Sequence, residues 1–292
     1  MRTLRTAAEL RSALSPVRAA GRSIGLVPTM GALHEGHLSL IRRARQECEL
    51  VVVSLFVNPT QFAEGEDFEA YPRDERRDGD LADAAGADLL FAPPAGEIYP
   101  EGFATAVEVG GLTEVLEGAS RGPDHFRGVT TVVAKLFNLV GPDVAYFGRK
   151  DAQQALVIAR MARDLDFPVR VEVCPTVREP DGLALSSRNA YLRPTDRRRA
   201  VALHRALAAA ERSVAGGERD AATVARAAQA AMEAHGVQPE YLELVSPETL
   251  APVATIDGDT LLAVAARVGG ARLIDNTIVR PERASSNGGT AI

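Results

Sequence analysis

The chain has 292 residues, of which 46% are hydrophobic, and it carries a formal net charge of −6 with a pI near 5.5. The length predicts two domains, and the composition is that of an ordinary globular protein. The acidic balance argues against a broad nucleic-acid-binding surface, so an anionic ligand would need a local site. No apolar run approaches the roughly 20 residues that span a bilayer, and the N-terminal segment lacks the apolar core of a signal peptide. We therefore expect a cytoplasmic protein.

Strand-like and helix-like segments alternate through the first part of the chain. The strand-like segments are apolar and β-branched, as in LVVVSLFVN at 50–58, whereas the helix-like segments have apolar residues at helical spacing. We predict strands at 23–30, 50–58, 87–93, 143–148 and 168–175, and helices at 37–48, 74–86, 127–141 and 151–165. This alternation predicts a Rossmann-like parallel sheet with helices on both faces, and ligands at the carboxyl ends of the strands.

The sequence changes character after about residue 184. Two Ala-rich helices are predicted at 194–217 and 220–236, followed by strands at 239–246, 260–269 and 271–279. The predicted fold class is therefore α/β, with a Rossmann-like N-terminal domain at 1–184 and a smaller α+β C-terminal domain at 185–280. The polar, Gly- and Ser-rich tail at 281–292 is predicted to be disordered.

The segment VPTMGALHEGHLSL at 27–40 places two histidines at a predicted strand-to-helix junction. Gly36 permits close approach to the backbone, and the first turn of a helix offers free N–H groups and the positive end of its dipole. His34 and His37 could therefore donate to phosphate and stabilise the transition state of nucleotidyl transfer. The alternative is a pair of surface histidines that cap the helix. A metal pair is less favoured, because no third His or Cys ligand accompanies them.

The segment FGRKDAQQ at 147–154 also follows a predicted strand and opens a helix. Lys150 offers a positive charge for a phosphate, and Asp151 could cap the helix or accept from a ribose hydroxyl. Gln153 and Gln154 can both donate and accept without adding charge. The alternative is an ordinary capped helix start with a solvated lysine.

The segment REPDGLALSSRNAYL at 178–192 joins the two predicted domains. Ser186, Ser187 and Arg188 stand in a row, and hydroxyl donors followed by an arginine are typical of a clamp for the phosphates of ATP. A linker is also where a mobile lid would lie. A polar connector without a ligand is the alternative.

Neutral polar side chains end the predicted strand at 50–58. Asn58 and Gln61 suit a small hydroxylated substrate better than a charged one, and the acidic segment AEGEDFEAYP after them is either a gate or an ordinary solvated loop. Further along, DHFRG supplies His125 and Arg127 just before a helix. Arg127 either pairs with a carboxylate or simply caps the helix and is solvated.

Six segments in this order resemble the signatures of the pantoate–β-alanine ligase family: PTMGALHEGH, FVNPTQF, YPR, HFRGVTTVVAKLF, FGRKDAQQ and LALSSRN. The resemblance runs from about residue 20 to residue 280, and the family belongs to the H-x-G-H nucleotidyltransferase superfamily. It implies ATP-dependent condensation of (R)-pantoate with β-alanine to give pantothenate, AMP and pyrophosphate through pantoyl adenylate, within coenzyme A biosynthesis. It also implies Mg²⁺ with the ATP, a cytoplasmic homodimer, small-molecule partners, and neither nucleic acid nor membrane.

The resemblance also assigns roles to residues. The catalytic residues would be His37, His34, Lys150 and Arg188. The ATP site would comprise Met30, Gly31, Ala32, Leu33, His34, Glu35, Gly36, His37, Gly148, Arg149, Lys150, Asp151, Val177, Leu185, Ser186, Ser187 and Arg188. Pantoate and β-alanine would meet Gln61, Gln154 and Asn58. Asp78 would be a carboxylate either on the metal side or behind the residues that contact the ligand.

Physical considerations modify the assignments of His37 and Arg149. His37 matches the family's proton donor, yet a hydrogen-bonding role suffices, because the leaving pyrophosphate is neutralised by metal and needs little protonation. Arg149 stands where family members often carry an acidic or amide residue. A contact of its side chain with the nucleotide would therefore change ATP affinity.

Two other functions are compatible with the H-x-G-H element. One is a nucleotidyltransferase that releases a stable nucleotidylated product and has no need of an amine substrate. The other is a nucleotide sensor that binds ATP without turnover. Gln61 and Gln154 favour the ligase over the transferase, and the intact set of His34, His37 and Lys150 argues against a sensor.

Overall fold

The structure, a computed structural model, describes residues 1–63 and 65–281. The chain forms two compact units, Met1–Ala190 and a second that begins at Tyr191. The segment 185–188, which carries three of the predicted phosphate-binding residues, therefore belongs to the first unit. Apart from Pro281, the tail predicted to be disordered lies outside the described residues.

The first unit is built from alternating strands and helices. Its strands are β1 (Arg2–Leu4), β2 (Ile24–Thr29), β3 (Leu50–Leu55), β4 (Leu89–Phe91), β5 (Val144–Gly148) and β6 (Arg170–Cys174). Its helices are α1 (Ala7–Ala19), α2 (Glu35–Glu47), α3 (Glu75–Ala84), α4 (Ala95–Ile98), α5 (Glu117–Arg121), α6 (Pro123–Val140) and α7 (Ala152–Asp164). Short 3-10 turns lie at Pro59–Gln61, Arg149–Asp151 and Ser187–Tyr191.

The six strands form one parallel sheet in the order β1-β4-β3-β2-β5-β6. The predicted fold class is confirmed by this sheet. Connections after β2 run outward through β3 to β4, whereas β5 and β6 lie on the opposite side of β2. The strand order therefore reverses between β2 and β5, and the crevice at their carboxyl ends is where such sheets bind ligands.

The middle strands form the core because both of their faces are covered. Leu26, Val27 and Val51 to Val53 are fully buried, which explains the unbroken apolar runs in this part of the sequence. Helix α6 begins at Pro123, a residue whose fixed φ suits the first helical position, and it precedes the predicted start at residue 127. Strand β1 and helix α1 were not among the predicted elements.

The second unit contains α8 (Pro194–Ala200), α9 (Ala202–Ala215) and α10 (Ala221–Glu233), and the antiparallel strands β7 (Tyr241–Val245), β8 (Thr260–Val268) and β9 (Ala271–Val279). The strands and α10 match the predicted α+β pattern. The single helix predicted at 194–217 is instead two helices that break at Val201. Within the described ranges of both units, no helix combines the length and apolar character needed to cross a membrane.

Candidate functional site

The two histidines of the H-x-G-H segment lie at the start of α2. His34 is the N-cap, and its Nδ1 accepts from the N–H of Gly36 at 3.2 Å, while the Nδ1 of His37 accepts a longer bond from the N–H of His34 at 3.4 Å. Their ring centroids are 4.1 Å apart. A Cβ at Gly36 would lie 2.9 Å from the His34 ring, so a larger residue there would displace that ring. The capping alternative is thus realised, but with partly buried rather than surface histidines.

Both histidines are held in their neutral form. Burial and the charge of Lys150 lower the pKa of His34 to about 4, and burial with His34 as neighbour lowers the pKa of His37 to about 3. Since both Nδ1 atoms accept hydrogen bonds, each neutral ring carries its proton on Nε2. The pair therefore presents two N–H donors and no formal charge.

A buried carboxylate shapes the loop that leads into α2. Gly31 and Ala32 both have positive φ, 89° and 51°, and this turn is stabilised by Asp78 of α3. The two oxygens of Asp78 accept from the N–H groups of Ala32 at 2.7 Å and Leu33 at 2.8 Å, and Asp78 is only 1% exposed. These contacts favour a loop-holding role. The metal-side role suggested for Asp78 stays a prediction.

The second predicted segment follows β5, the neighbour of β2 in the sheet. Lys150 Nζ donates to Asp151 at 3.1 Å, and Asp151 makes no side-chain cap bond to α7. Burial alone would raise the pKa of Asp151, but the charge and hydrogen bond of Lys150 lower it below its ordinary value. Asp151 and Lys150 act electrostatically on both histidines, so the ends of β2 and β5 form one site. The Arg149 side chain is exposed.

The third segment folds back beside α2. Leu185 N–H donates to the carbonyl of Val177 at 3.0 Å, and the Cβ of Leu185 lies 3.9 Å from where a Gly36 Cβ would stand. The Ser186 hydroxyl accepts from the N–H of Arg188 at 3.3 Å and opens the turn at Ser187–Tyr191. Leu185 thus lies beside the start of α2, and Arg188 acts electrostatically on Asp151.

Arg188 forms a bidentate ion pair with Asp67, a residue to which the sequence alone assigned no role. Its Nε and Nη2 donate to the two oxygens of Asp67 at 3.1 and 3.0 Å, with both side chains about three-quarters buried. Burial opposes the charge of Arg188, but Asp67 raises the pKa above its ordinary value, so the guanidinium stays protonated. In the same loop, the hydroxyl of Tyr71 lies 3.2 Å from that of Ser187.

A set of uncharged groups lies at the end of β3. Asn58 is buried; its Nδ2 donates to Gln61 Oε1 at 3.1 Å and to the carbonyl of Gly128 at 3.1 Å, and its Oδ1 accepts from Tyr99 at 2.8 Å. Gln61 Nε2 donates to a weak acceptor, the sulfur of Met30 at 3.0 Å. The Gln61 amide therefore keeps donor capacity for a ligand.

Two adjacent glutamines on α7 have different surroundings. Gln153 is buried and fully engaged: it accepts from the N–H of Glu117 at 2.9 Å and donates to the carbonyls of Leu112 at 2.7 Å and Val115 at 2.8 Å. Gln154 is half-buried on the first turn of the same helix. Gln153 is therefore structural, whereas the substrate-binding role of Gln154 stays a prediction.

The candidate site thus has two parts, named here for their chemistry. The charged half comprises the ionised side chains of Lys150, Asp151 and Arg188 together with the neutral His34 and His37. The neutral half comprises Asn58, Gln61, Tyr99 and His125, whose ring contacts the Gln61 main chain. Among the other predicted residues, Glu35 is exposed and pairs with Arg42, and Arg127 forms an exposed pair with Asp124 at 2.9 Å. In the described part of the chain, no group of three or more His, Cys, Asp or Glu residues is arranged to hold a metal ion.

Known proteins match nearly the whole chain. A family model described as pantoate-beta-alanine ligase matches residues 2–278. A pantothenate synthetase of Moorella thermoacetica is 57% identical over 280 residues, which are 96% of this chain and 99% of that protein. The one from Heliobacterium modesticaldum is 58% identical over 263 residues, 89% of this chain and 92% of that protein. The chain belongs to the pantoate–β-alanine ligase family.

Solved structures of this ligase family agree with the fold. The pantothenate synthetase of Thermus thermophilus has a TM-score of 0.92 at 54% identity, covering 96% of this chain and 100% of that one. The pantoate–β-alanine ligase of Francisella tularensis, complexed with beta-gamma ATP and beta-alanine, has a TM-score of 0.80 at 33% identity, covering 95% of this chain and 97% of that one. The predicted family and its enzymatic, ligase character are confirmed, and the transferase and sensor hypotheses are set aside.

Proposed function

We propose that this ligase activates pantoate with ATP and then transfers the pantoyl group to β-alanine. A carboxylate oxygen of pantoate attacks the α-phosphorus, the bond to pyrophosphate breaks, and pantoyl adenylate forms. The amine of β-alanine then attacks the acyl carbon and the acyl C–O bond breaks. AMP leaves with the bridging oxygen that came from the pantoate carboxylate, and the amine proton goes to solvent. One observation carries this proposal: the charged half and the neutral half lie together at the carboxyl ends of the neighbouring strands β5, β2 and β3. The first offers positive charge and N–H donors for phosphates, and the second offers neutral groups for the acid.

The histidine pair would stabilise charge on the phosphates rather than transfer protons. With pKa values near 4 and 3, both rings are neutral at physiological pH, and their Nε2–H groups are the remaining donors. A neutral donor fits a step in which pyrophosphate leaves as an anion that needs little protonation. This supports the hydrogen-bonding role for His37 over that of a proton donor.

Lys150 and Arg188 would supply the positive charge for the phosphates. Each already pairs with a carboxylate, Lys150 with Asp151 and Arg188 with Asp67. A phosphate oxygen that displaced the Asp67 carboxylate would find the same two guanidinium donors in the same fork. ATP binding at Arg188 is therefore an exchange of one anion for another, with release of Asp67.

The neutral half would hold pantoate and β-alanine. Asn58 uses its amide to orient Gln61, since it donates to Gln61 Oε1 and is itself held by Tyr99 and Gly128. This leaves the Gln61 amide as the donor for the substrate, with Gln154 reaching the same substrate from α7. A pocket of neutral amides suits a substrate whose carboxylate must remain a nucleophile, because an ion pair with a cation in the pocket would lower the nucleophilicity of that carboxylate.

ATP would enter as its magnesium complex, in which phosphate oxygens are the natural ligands of the ion. Both oxygens of Asp78 already accept from peptide N–H groups, which supports a role in shaping the ATP loop instead of direct coordination. A homodimer and a cytoplasmic location stay predictions of the family resemblance.

The direct test is AMP release from ATP by purified protein with Mg²⁺ and pantoate, with and without β-alanine. AMP that appears only when both acid and amine are present supports the proposal. Pyrophosphate release at full rate without β-alanine would indicate a nucleotidyltransferase, and ATP binding with neither product would indicate a sensor; either result would contradict the proposed reaction.

A further inference from the structure

The main chain of Gln61 contacts helix α6, an element that has no part in the proposed reaction. The short turn Pro59–Gln61 packs against the start of α6, and that approach depends on Gly128, where a Cβ would lie 2.5 Å from the carbonyl oxygen of Thr60. One turn earlier on the same helix, Nδ1 of His125 lies 2.9 Å from the carbonyl oxygen of Gln61. Helix α6 therefore contacts this turn through two residues that are three positions apart.

The hydrogen bonds around His125 determine its tautomer. On the other side of the ring, Nε2 lies 3.0 Å from Nη1 of Arg121. A guanidinium N–H can only donate, so Nε2 accepts, and the proton is on Nδ1, where it donates to the Gln61 carbonyl. His125 is only 8% exposed, and burial together with the Arg121 charge lowers its pKa to about 4. The ring is thus a neutral, fully engaged bridge between an arginine and a peptide carbonyl.

Arg121 is itself fixed by a carboxylate. Its Nε and Nη2 donate to the two oxygens of Glu66 at 3.0 and 2.6 Å, and Glu66 also accepts from the N–H of Ala63 at 3.1 Å. The side chains of Arg121 and Glu66 are 15% and 26% exposed, so most of this pair is shielded from solvent. A continuous chain of hydrogen bonds runs from Glu66 through Arg121 and His125 to the carbonyl of Gln61.

We propose that His125 is a positioning residue for the acid-binding half of the site: its Nδ1–H fixes the main chain of Gln61, and Arg121 fixes the ring. This inference rests on the proposed role of Gln61 in holding pantoate. Asn58 orients the amide of Gln61 from the side-chain end, and His125 orients the peptide from the main-chain end. With both ends held, the Gln61 amide would be preorganised for the substrate before it arrives.

The contribution of each ring nitrogen can be separated by substitution. In His125→Asn the amide NH₂ lies near the place of Nδ1 and can still donate to Gln61, whereas in His125→Gln the amide lies near Nε2 and reaches towards Arg121 instead. Arg127→Ala is the matched control, because Arg127 is on the same helix turn but is exposed and paired with Asp124. KM for pantoate, KM for ATP and kcat are measured for each variant in the AMP-release assay, with ATP binding and thermal unfolding as checks on the fold.

We expect His125→Gln and His125→Ala to raise KM for pantoate about fivefold or more, as for a lost buried hydrogen bond, while KM for ATP stays within about twofold. KM for pantoate should stay close to the wild-type value in His125→Asn and should be unchanged in Arg127→Ala. The comparison of Asn with Gln decides the question even where His125→Ala does not fold.

Two results would overturn this inference alone, with the wild-type ligase reaction intact. One is a pantoate KM that is equal in the Asn and Gln variants. The other is a rise in the ATP KM as large as that in the pantoate KM, which would indicate general damage to the site. A wild-type protein that makes no AMP from pantoate and β-alanine would overturn the proposed function and this inference together.

Discussion

The two halves of the candidate site are held by different kinds of contact. In the charged half, Arg188 and Lys150 pair with Asp67 and Asp151, and each pair retains some exposure to solvent. In the neutral half, Asn58 and His125 are buried, and their polar atoms are bonded to the protein itself. Ion pairs at partly exposed positions are individually weak and can be exchanged, whereas buried neutral hydrogen bonds are costly to break.

This contrast suits the two substrates. In the proposed binding mode, the charge of a polyphosphate would displace Asp67 from Arg188, and internal carboxylates would occupy the charged half until ATP arrives. A small hydroxy acid brings one charge and few atoms, so its pocket must be formed in advance to bind it well. The predictions below test whether the two halves behave in these different ways.

The largest effect is expected in the charged half. Lys150→Ala and His37→Ala should each lower kcat by about 100-fold, because each removes a donor aimed at the phosphate charge of the transition state. Initial rates of AMP formation at saturating substrates measure this. Arg163→Ala, which removes an exposed arginine of α7 that pairs with Asp164, is the control and should retain activity. Near-normal kcat in either site variant would remove that residue from the proposed machinery.

A tenfold effect is expected from the two glutamines proposed to hold pantoate, Gln61 in the neutral half and Gln154 on α7, and it should appear in KM instead of kcat. Gln61→Ala and Gln154→Ala should raise KM for pantoate about tenfold with little change in KM for ATP, because a hydrogen bond to the acid is lost. Steady-state kinetics with each substrate varied in turn measure the two constants. A larger rise in the ATP constant would move these residues out of the acid pocket.

Gln153→Ala serves as the matched variant to Gln154→Ala. It should lower the free energy of unfolding by about 2–3 kcal/mol, since the N–H of Glu117 and the carbonyls of Leu112 and Val115 lose buried partners. Urea denaturation compares the two variants. Equal stability of both would contradict the structural role of Gln153.

A further prediction concerns the dependence of stability on pH. His34, His37 and His125 have pKa values lowered from 6.5 to about 4, about 3 and about 4 in the folded protein. Between pH 6.5 and 4 the unfolded chain therefore binds more protons than the folded protein, and the free energy of unfolding should fall as pH falls. The slope is at most about 1.4 kcal/mol per pH unit for each histidine.

Urea denaturation at about pH 7, 6 and 5 measures this slope. The variant His125→Asn lacks one of the three titrating rings and should show a shallower dependence over the same interval. A stability that is flat or rises as the solution is acidified would show that these rings are not buried in neutral form.

The smallest effect is expected for Asp67→Asn. Loss of the carboxylate frees Arg188 for phosphate, so KM for ATP should fall by about two- to threefold, the size typical of one partly exposed ion pair. Glu69→Gln, at an exposed position in the same loop, is the control. An increased KM for ATP in Asp67→Asn would show that the carboxylate holds Arg188 in its working position instead of competing with the phosphate.

The sequence predicted those parts of the fold that depend on local pattern. The β-branched runs marked the central strands, and the segment from Pro28 to His37 marked the strand-to-helix junction now found at β2 and α2. Helix α1 was missed although its signals are present, since Thr6 and Glu9 form a capping box ahead of buried Leu10 and Leu14. The Ala-rich stretch from 194 has no glycine or proline between Thr195 and Ala215, so no strong helix breaker marked the break between α8 and α9.

The parts of the site that escaped prediction depend on contacts between distant residues. Asp67 and Arg188 are 121 positions apart, and Arg121 and Glu66 are 55 apart, so no local pattern joins either pair. Similarly, Gln153 and Gln154 are indistinguishable as neighbours in sequence, and only the packing around α7 shows which one is engaged by the protein. Roles for the site residues came from the family resemblance, and the geometry now gives them physical partners.

The most direct test of the account follows one oxygen atom. Pantoate labelled with ¹⁸O in its carboxylate is incubated with the enzyme, ATP, Mg²⁺ and β-alanine, and the AMP is analysed by mass spectrometry. If the pantoate carboxylate attacks the α-phosphorus, one labelled oxygen must be transferred to AMP in each turnover. AMP that forms at the normal rate without the label would contradict activation through an acyl adenylate.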